Sequence, residues 1–171
     1  LGRVLGDRTV LYKYLNPNLV AFLTESTYKD SVAVTFYLID VVSGFIHHRA
    51  FHPGGGRIKG QNASTQILLS DNFIVYTYWN HGPERGKDYL KGRFENETIP
   101  NTKGMEVVTV EIYESEKPIQ QFSGPYFSSF SSYAPHVISS AFMFPFPITC
   151  LGITRTLSGI TSKDILCIFL R

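Results

Sequence analysis

The chain has 171 residues, 43% of them hydrophobic and 18% charged, with 16 basic against 14 acidic side chains. One domain with a sizeable core fits that length, and the apolar share excludes wholesale disorder. A formal net charge of +2 argues against the strongly basic surface of a nucleic-acid or polybasic membrane binder.

Thirteen Phe and ten Tyr stand beside two Met and one Trp, a bias towards the pleated, half-buried surface of a sheet. Short β-like runs then follow one another, separated by turn chemistry. Residues 9–14 form the first, ended by Asn16, Pro17 and Asn18. Residues 19–24 form the second, and residues 31–40, rich in Val, Phe, Tyr and Ile, the third. Asp40 can accept backbone amides ahead of it and Gly44 can take a positive φ, so the chain turns there into a fourth run at 45–51. These four fill about residues 8–52, the size of one propeller blade.

The pattern recurs. Runs at 65–70, 73–79, 106–113 and 118–122 make a second blade over about residues 64–123. Runs at 136–144, 148–154 and 164–170 begin a third over about 135–171. The second strands start at 19, 73 and 148, so their spacings of 54 and 75 residues differ, as loops at 54–60, 82–103 and 123–132 of unequal length require. No helical stripe competes over ten residues or more. The expected fold is all-β, a partial β-propeller of about three four-stranded blades with the last incomplete. A ring closes only with about four or more blades. Because the chain opens on Leu1 rather than Met, it is expected to be a piece of a longer polypeptide.

No apolar run approaches the roughly 18–20 residues that cross a bilayer as a helix. Arg3, Asp7 and Arg8 interrupt any signal-peptide h-region. Cys150 and Cys167, 17 residues apart, match no metal or redox spacing. They could pair across adjacent strands; two free thiols is the plainer reading.

His47, His48 and His52 are the densest group of potential ligands. With a period of 2, His48 and His52 share one strand face and His47 takes the other. Zinc needs three or four convergent ligands, and no Cys, Asp or Glu is close by in sequence, so structural or surface histidines are expected and no metal. The run from His52 to Gly60 lacks the order of a phosphate-binding loop, since Lys59 precedes Gly60 and no helix pattern follows. It reads as an inter-strand loop. Neither GxSxG nor HExxH occurs. Glu106, Glu111, Glu114 and Glu116 alternate with Val107, Val110 and Ile112 in the manner of a solvated strand face. The serines at 128, 129, 131 and 132 read as loop. Two N-glycosylation sequons stand in expected loops, at Asn96 and Asn62, Asn96 in the longer and more polar one.

The stretch from Gly2 to Asn18 resembles the C-terminal lumenal region of the subunit 1 family of the endoplasmic reticulum membrane protein complex. The likeness continues through residues 19–26, 38–44, 75–80, 139–144 and 159–162, in chain order. Residues 54–66 and 82–103 depart from the pattern, and the likeness fades after Asp164. The resemblance implies a lumen-facing propeller of quinoprotein-like blades, in a scaffold subunit with two propellers and a membrane anchor further on. It implies other subunits of the complex and client transmembrane proteins as partners, with no catalytic residue, metal or cofactor. The implied role is support for insertion of tail-anchored and multi-pass proteins at the endoplasmic reticulum membrane. Fold alone leaves open a propeller enzyme, quinoprotein-like or carbohydrate-active, and a secreted binding propeller.

Overall fold

The computed structural model describes residues 2–28, 31–58, 65–82, 103–117, 129–130, 134–155 and 163–169. Every regular element among them is a strand. The first two, β1 (Gly2–Val4) and β2 (Val10–Tyr12), form a short antiparallel hairpin. A three-stranded meander follows in β3 (Leu19–Tyr28), β4 (Ser31–Asp40) and β5 (Ile46–Pro53). The middle sheet contains β6 (Gly55–Gly56), β7 (Gln66–Ser70), β8 (Phe73–Asn80), β9 (Gly104–Tyr113) and β10 (His136–Phe144). Both β6 and β7 pair with β8, which pairs with β9, and β10 closes the order as an edge strand. The last sheet is the hairpin of β11 (Ile148–Ile153) and β12 (Ile165–Phe169).

Stacking explains the burial pattern. The inner face of the first sheet packs on the middle sheet through Val34, Phe36 and Leu38 against Ile74, Tyr76 and Val110. On its other face the middle sheet presents Val75, Met105 and Val107 to Ile148 and Leu151 of the last hairpin. Strands β8 and β9 are therefore covered on both sides, which suits their near-continuous apolar runs.

The sequence placed most strands within one or two residues of their ends but grouped three regions differently. Residues 9–14 were expected to complete the first blade. Instead β2 pairs with β1 and reaches the middle sheet through a bridge between Lys13 and Tyr113. Residues 136–144 were expected to open a third blade, yet β10 pairs with β9 in an unbroken register from His136–Tyr113 to Phe144–Met105. Pairing of two strands depends on what the intervening segment allows in space, and strand spacing in the sequence does not encode it. The expected loop at 54–60 contains β6, whose Gly55 and Gly56 face Asn80 and Trp79. The run expected at 118–122 lies outside the described residues.

Candidate functional site

The most constrained polar group is Asp40, at the end of β4. It has no accessible surface. Its carboxylate accepts from Asn16 Nδ2 at 2.8 Å, from the Val42 amide at 2.8 Å and from the Ser43 amide at 3.0 Å. Burial alone would raise its pKa. The hydrogen bonds from Ser129, Asn16, Ser43 and Val42 outweigh that and hold the carboxyl well below the usual range. Gly44, with φ +72°, closes the turn as the sequence predicts. Asn16 Oδ1 in turn accepts the Asn18 amide at 2.8 Å, and Asn18 Nδ2 donates to Ser129 Oγ at 3.0 Å. Ser129 therefore belongs to a bracket joining three segments; the serines at 128, 131 and 132 lie outside the described residues.

The histidines sit at the seam between the first and middle sheets. His48 and His52 lie opposite Leu38 and Val34, so they share the inner face as expected. His52 Nε2 is 2.7 Å from Tyr76 Oη, and its ring stands 4.7 Å from that of Tyr78. Desolvation lowers the pKa of both His48 and His52, favouring neutral rings. His47 breaks the expected alternation. A register shift between Leu38 and Ile39 inserts an extra residue, and His47 meets the core side chain Tyr14 edge-on at 5.7 Å. Neither of its ring nitrogens has a hydrogen-bond partner among the described residues. Among those residues no three His, Cys, Asp or Glu converge as a metal site requires.

Glu116 is exposed as expected of a solvated face, whereas Glu106, Glu111 and Glu114 are only partly so. Glu106 accepts from Asn80 Nδ2 at 3.1 Å beside buried Tyr78. Glu111 accepts from Tyr113 Oη and stands 3.4 Å from Arg3 Nη1. Burial first, then the Glu111 hydrogen bond, pushes the Tyr113 hydroxyl up to about 12. Glu114 is raised by desolvation. Alternation misleads for Glu106 and Glu111 because neighbouring strands cover most of both faces of β9, leaving the two carboxylates only partly exposed. Glu106 is held by Asn80, and Glu111 by Tyr113 and the exposed Arg3.

At the second seam, Lys163 Nζ donates to Ser70 Oγ at 2.6 Å, Ser70 O at 3.1 Å and Asp71 Oδ2 at 2.6 Å. This clamps the start of β12 to the β7–β8 turn, where Asp71 adopts φ +56°. Sequence reading missed it; Ser70-Asp71-Asn72 is a turn signal, but no local pattern ties it to a lysine 92 residues on. The two cysteines are on adjacent strands and still do not pair. Cys150 faces Ile168 and Cys167 faces Leu151, so the thiols project from opposite faces of the hairpin.

The arrangement thus consists of buried polar brackets between stacked sheets, with side chains spent on one another. The family model for the second β-propeller of ER membrane protein complex subunit 1 matches this chain over residues 1–171. The chain belongs to that family. ER membrane protein complex subunit 1 of Xenopus laevis is 37% identical over 168 residues, covering 96% of this chain and 14% of the relative. The Gallus gallus subunit 1 is 35% identical, with the same coverage of 96% and 14%. The Saccharomyces cerevisiae subunit 1 is 32% identical over 173 residues, covering 96% of this chain and 20% of the relative. The chain therefore spans between 14% and 20% of the length of these subunit 1 relatives. The family match runs through 54–66, 82–103 and the residues after Asp164, where the sequence was expected to depart from it. Membership makes this an all-β propeller region, and it ties the relatives by name to the ER membrane. Among the described residues no helix is long and apolar enough to cross a membrane. The sequons at Asn62 and Asn96 lie outside the described residues.

Proposed function

We propose that this chain is part of a non-catalytic scaffold on the lumenal side of the ER membrane, holding other subunits of a membrane-protein insertase in place. The clients are tail-anchored and multi-pass proteins, and an anchor elsewhere in the polypeptide fixes the propeller to the membrane. The observation that carries this reading is membership of the subunit 1 family, whose relatives are named as members of an ER membrane protein complex. The chemistry of the described residues supports it, because Asp40, Glu106 and His52 are engaged in brackets that brace sheets. In this reading three blade units fall at about 8–52, 64–123 and 135–171, with β2 set apart from the first because it pairs with β1 and β10 moved into the second because it pairs with β9. Asn96 and Asn62 are N-glycosylated in this reading.

Depletion of the full-length protein is expected to lower the levels of partner subunits and to impair insertion of weakly hydrophobic tail anchors in microsomes. Reintroduction of the full-length protein restores both. Normal insertion with intact partner levels after depletion overturns the proposal. An endoglycosidase shift lost in Asn96→Gln tests the glycan independently.

A further inference from the structure

An edge strand carries a row of backbone groups that its own sheet does not satisfy, and this molecule treats two of its edges in opposite ways. Strand β5, an edge of the first sheet, is guarded. A register shift bends it, Arg49 is exposed within it and Pro53 ends it. Such devices keep an edge from pairing with another chain. Strand β10, the edge of the middle sheet, has none of them. Its register with β9 runs unbroken from His136 to Phe144, and Pro135 and Pro145 stand just outside it. No charged side chain occurs from Val137 to Phe144, and Ser139 to Met143 are exposed in succession, so both faces are open there. Phe142 is 54% and Met143 40% exposed. Propellers leave only short, protected edges. A flat strand of 9 residues without a gatekeeper departs from that rule.

The pairing sets the direction of the free groups. Thr109 Oγ1 donates to the Ser140 carbonyl at 3.3 Å, so Ser140 turns its backbone towards β9. Alternation then turns the N–H and C=O of Val137, Ser139, Ala141 and Met143 outward, and among the described residues no strand pairs with them. The small side chains of Ser139, Ser140 and Ala141 leave room beside them on both faces. The middle sheet already has its strand positions from β7 to β10 filled, the complement of a four-stranded blade. A further strand on this edge therefore comes from outside the propeller.

We propose that β10 is a docking edge, to which an extended, uncharged segment of another polypeptide adds as a further strand. Backbone hydrogen bonds to the outward-facing residues hold that segment. Its bulky apolar side chains alternate in direction and fill the space beside Ser139 and Ala141 on one face and beside Ser140 and Phe142 on the other. The proposal rests on the scaffold reading for the presence of a partner, yet the two fail separately: depletion tests the scaffold, and exchange at β10 tests the edge.

Amide hydrogen exchange over residues 136–144, read by mass spectrometry, is compared between full-length protein purified alone and the complex purified from the ER membrane. Exchange at Ser139, Ala141 and Met143 is expected to be slower in the complex by on the order of tenfold or more. Ala141→Pro removes only an outward N–H, which an edge strand tolerates, so it is expected to keep the thermal midpoint and abolish the protection. Should that variant fail to fold, Ala141→Lys, a charge on the edge, supplies the same test. Equal exchange in the two samples overturns the proposal. Protection already present in the protein alone assigns the edge to its own polypeptide, and protection that follows protein concentration assigns it to a second copy. Protection that survives in a folded variant shows a contact other than strand addition. Each of these outcomes overturns it as well.

Discussion

Asp40 concentrates more hydrogen bonding than any other described side chain of the first sheet, and its replacement tests the bracket it makes. Asp40→Ala leaves the buried Asn16 side-chain amide and two part-buried turn amides without their acceptor. Unsatisfied buried donors each cost about 1–3 kcal/mol, so a loss of roughly 3 kcal/mol in urea unfolding is expected. Trp79, the single tryptophan, supplies the fluorescence signal. The depressed Asp40 pKa has a definite sign: the folded state releases its proton more readily than the unfolded chain. Its stabilisation is present above the ordinary carboxyl pKa and disappears as pH falls below it. The histidines act at a higher pH. His47, His48 and His52 are all lowered, chiefly by desolvation, so the unfolded chain binds more protons below about 6.5. Stability is full above that value and declines as pH drops through it. Thermal midpoints are expected to be lower at pH 5.5 than at pH 7.5, and His52→Phe should flatten that difference while depriving Tyr76 Oη of its partner.

Elements show how single residues set the approach of neighbouring strands. Gly54 bears φ +78° where the chain leaves β5, and Gly55 lies so close to β8 that a Cβ would stand 2.8 Å from Tyr78 Cδ2. That ring is fully buried and has nowhere to move. Gly55→Ala is therefore expected to cost about 1–3 kcal/mol in thermal unfolding through overpacking. The Lys163 clamp works between elements. Lys163→Met keeps the aliphatic stem but removes the bonds to Ser70 and Asp71. Amide hydrogen exchange in β12 should accelerate most, while β8 and β9 keep their protection, because β11 stays tied to the middle sheet by Gln66 and by the Ile148 and Leu151 contacts. Uniform acceleration across all strands would show that the clamp is not local.

For the whole molecule, cohesion comes from two seams rather than one central core. Tyr76 stacks on Phe36 with ring centroids 4.6 Å apart and planes 10° apart, at the middle of the first seam. Phe36→Ala should cost about 3–5 kcal/mol, with exchange rising in β3–β5 before β11–β12. If both sheets loosen together, the stack behaves as one cooperative unit and the two-seam picture fails. The same construction explains why exposed apolar side chains stand at both ends, Val20 and Phe22 at one and Leu166 and Ile168 at the other: a stack of sheets has two end faces unless it closes into a ring.

The linear pattern of Val, Phe, Tyr and Ile, punctuated by Asn-Pro-Asn and Asp40-to-Gly44, was enough to determine an all-β chain and most of its strands, β1 and β6 excepted. Those features are local: a strand is set by its own alternation and a turn by its own φ preferences. The Asp40 turn and the shared face of His48 and His52 were legible for that reason. Tertiary structure decided the rest. It moved β10 to the middle sheet and β2 out of the first, because partner choice depends on surfaces distant in sequence. It turned Glu106 and Glu111 of β9 from a solvated face into partly buried, hydrogen-bonded groups, because their partners Asn80 and Arg3 come from other strands. It also set the two cysteines back to back, since a hairpin register decides which side chains share a face and spacing along the chain does not.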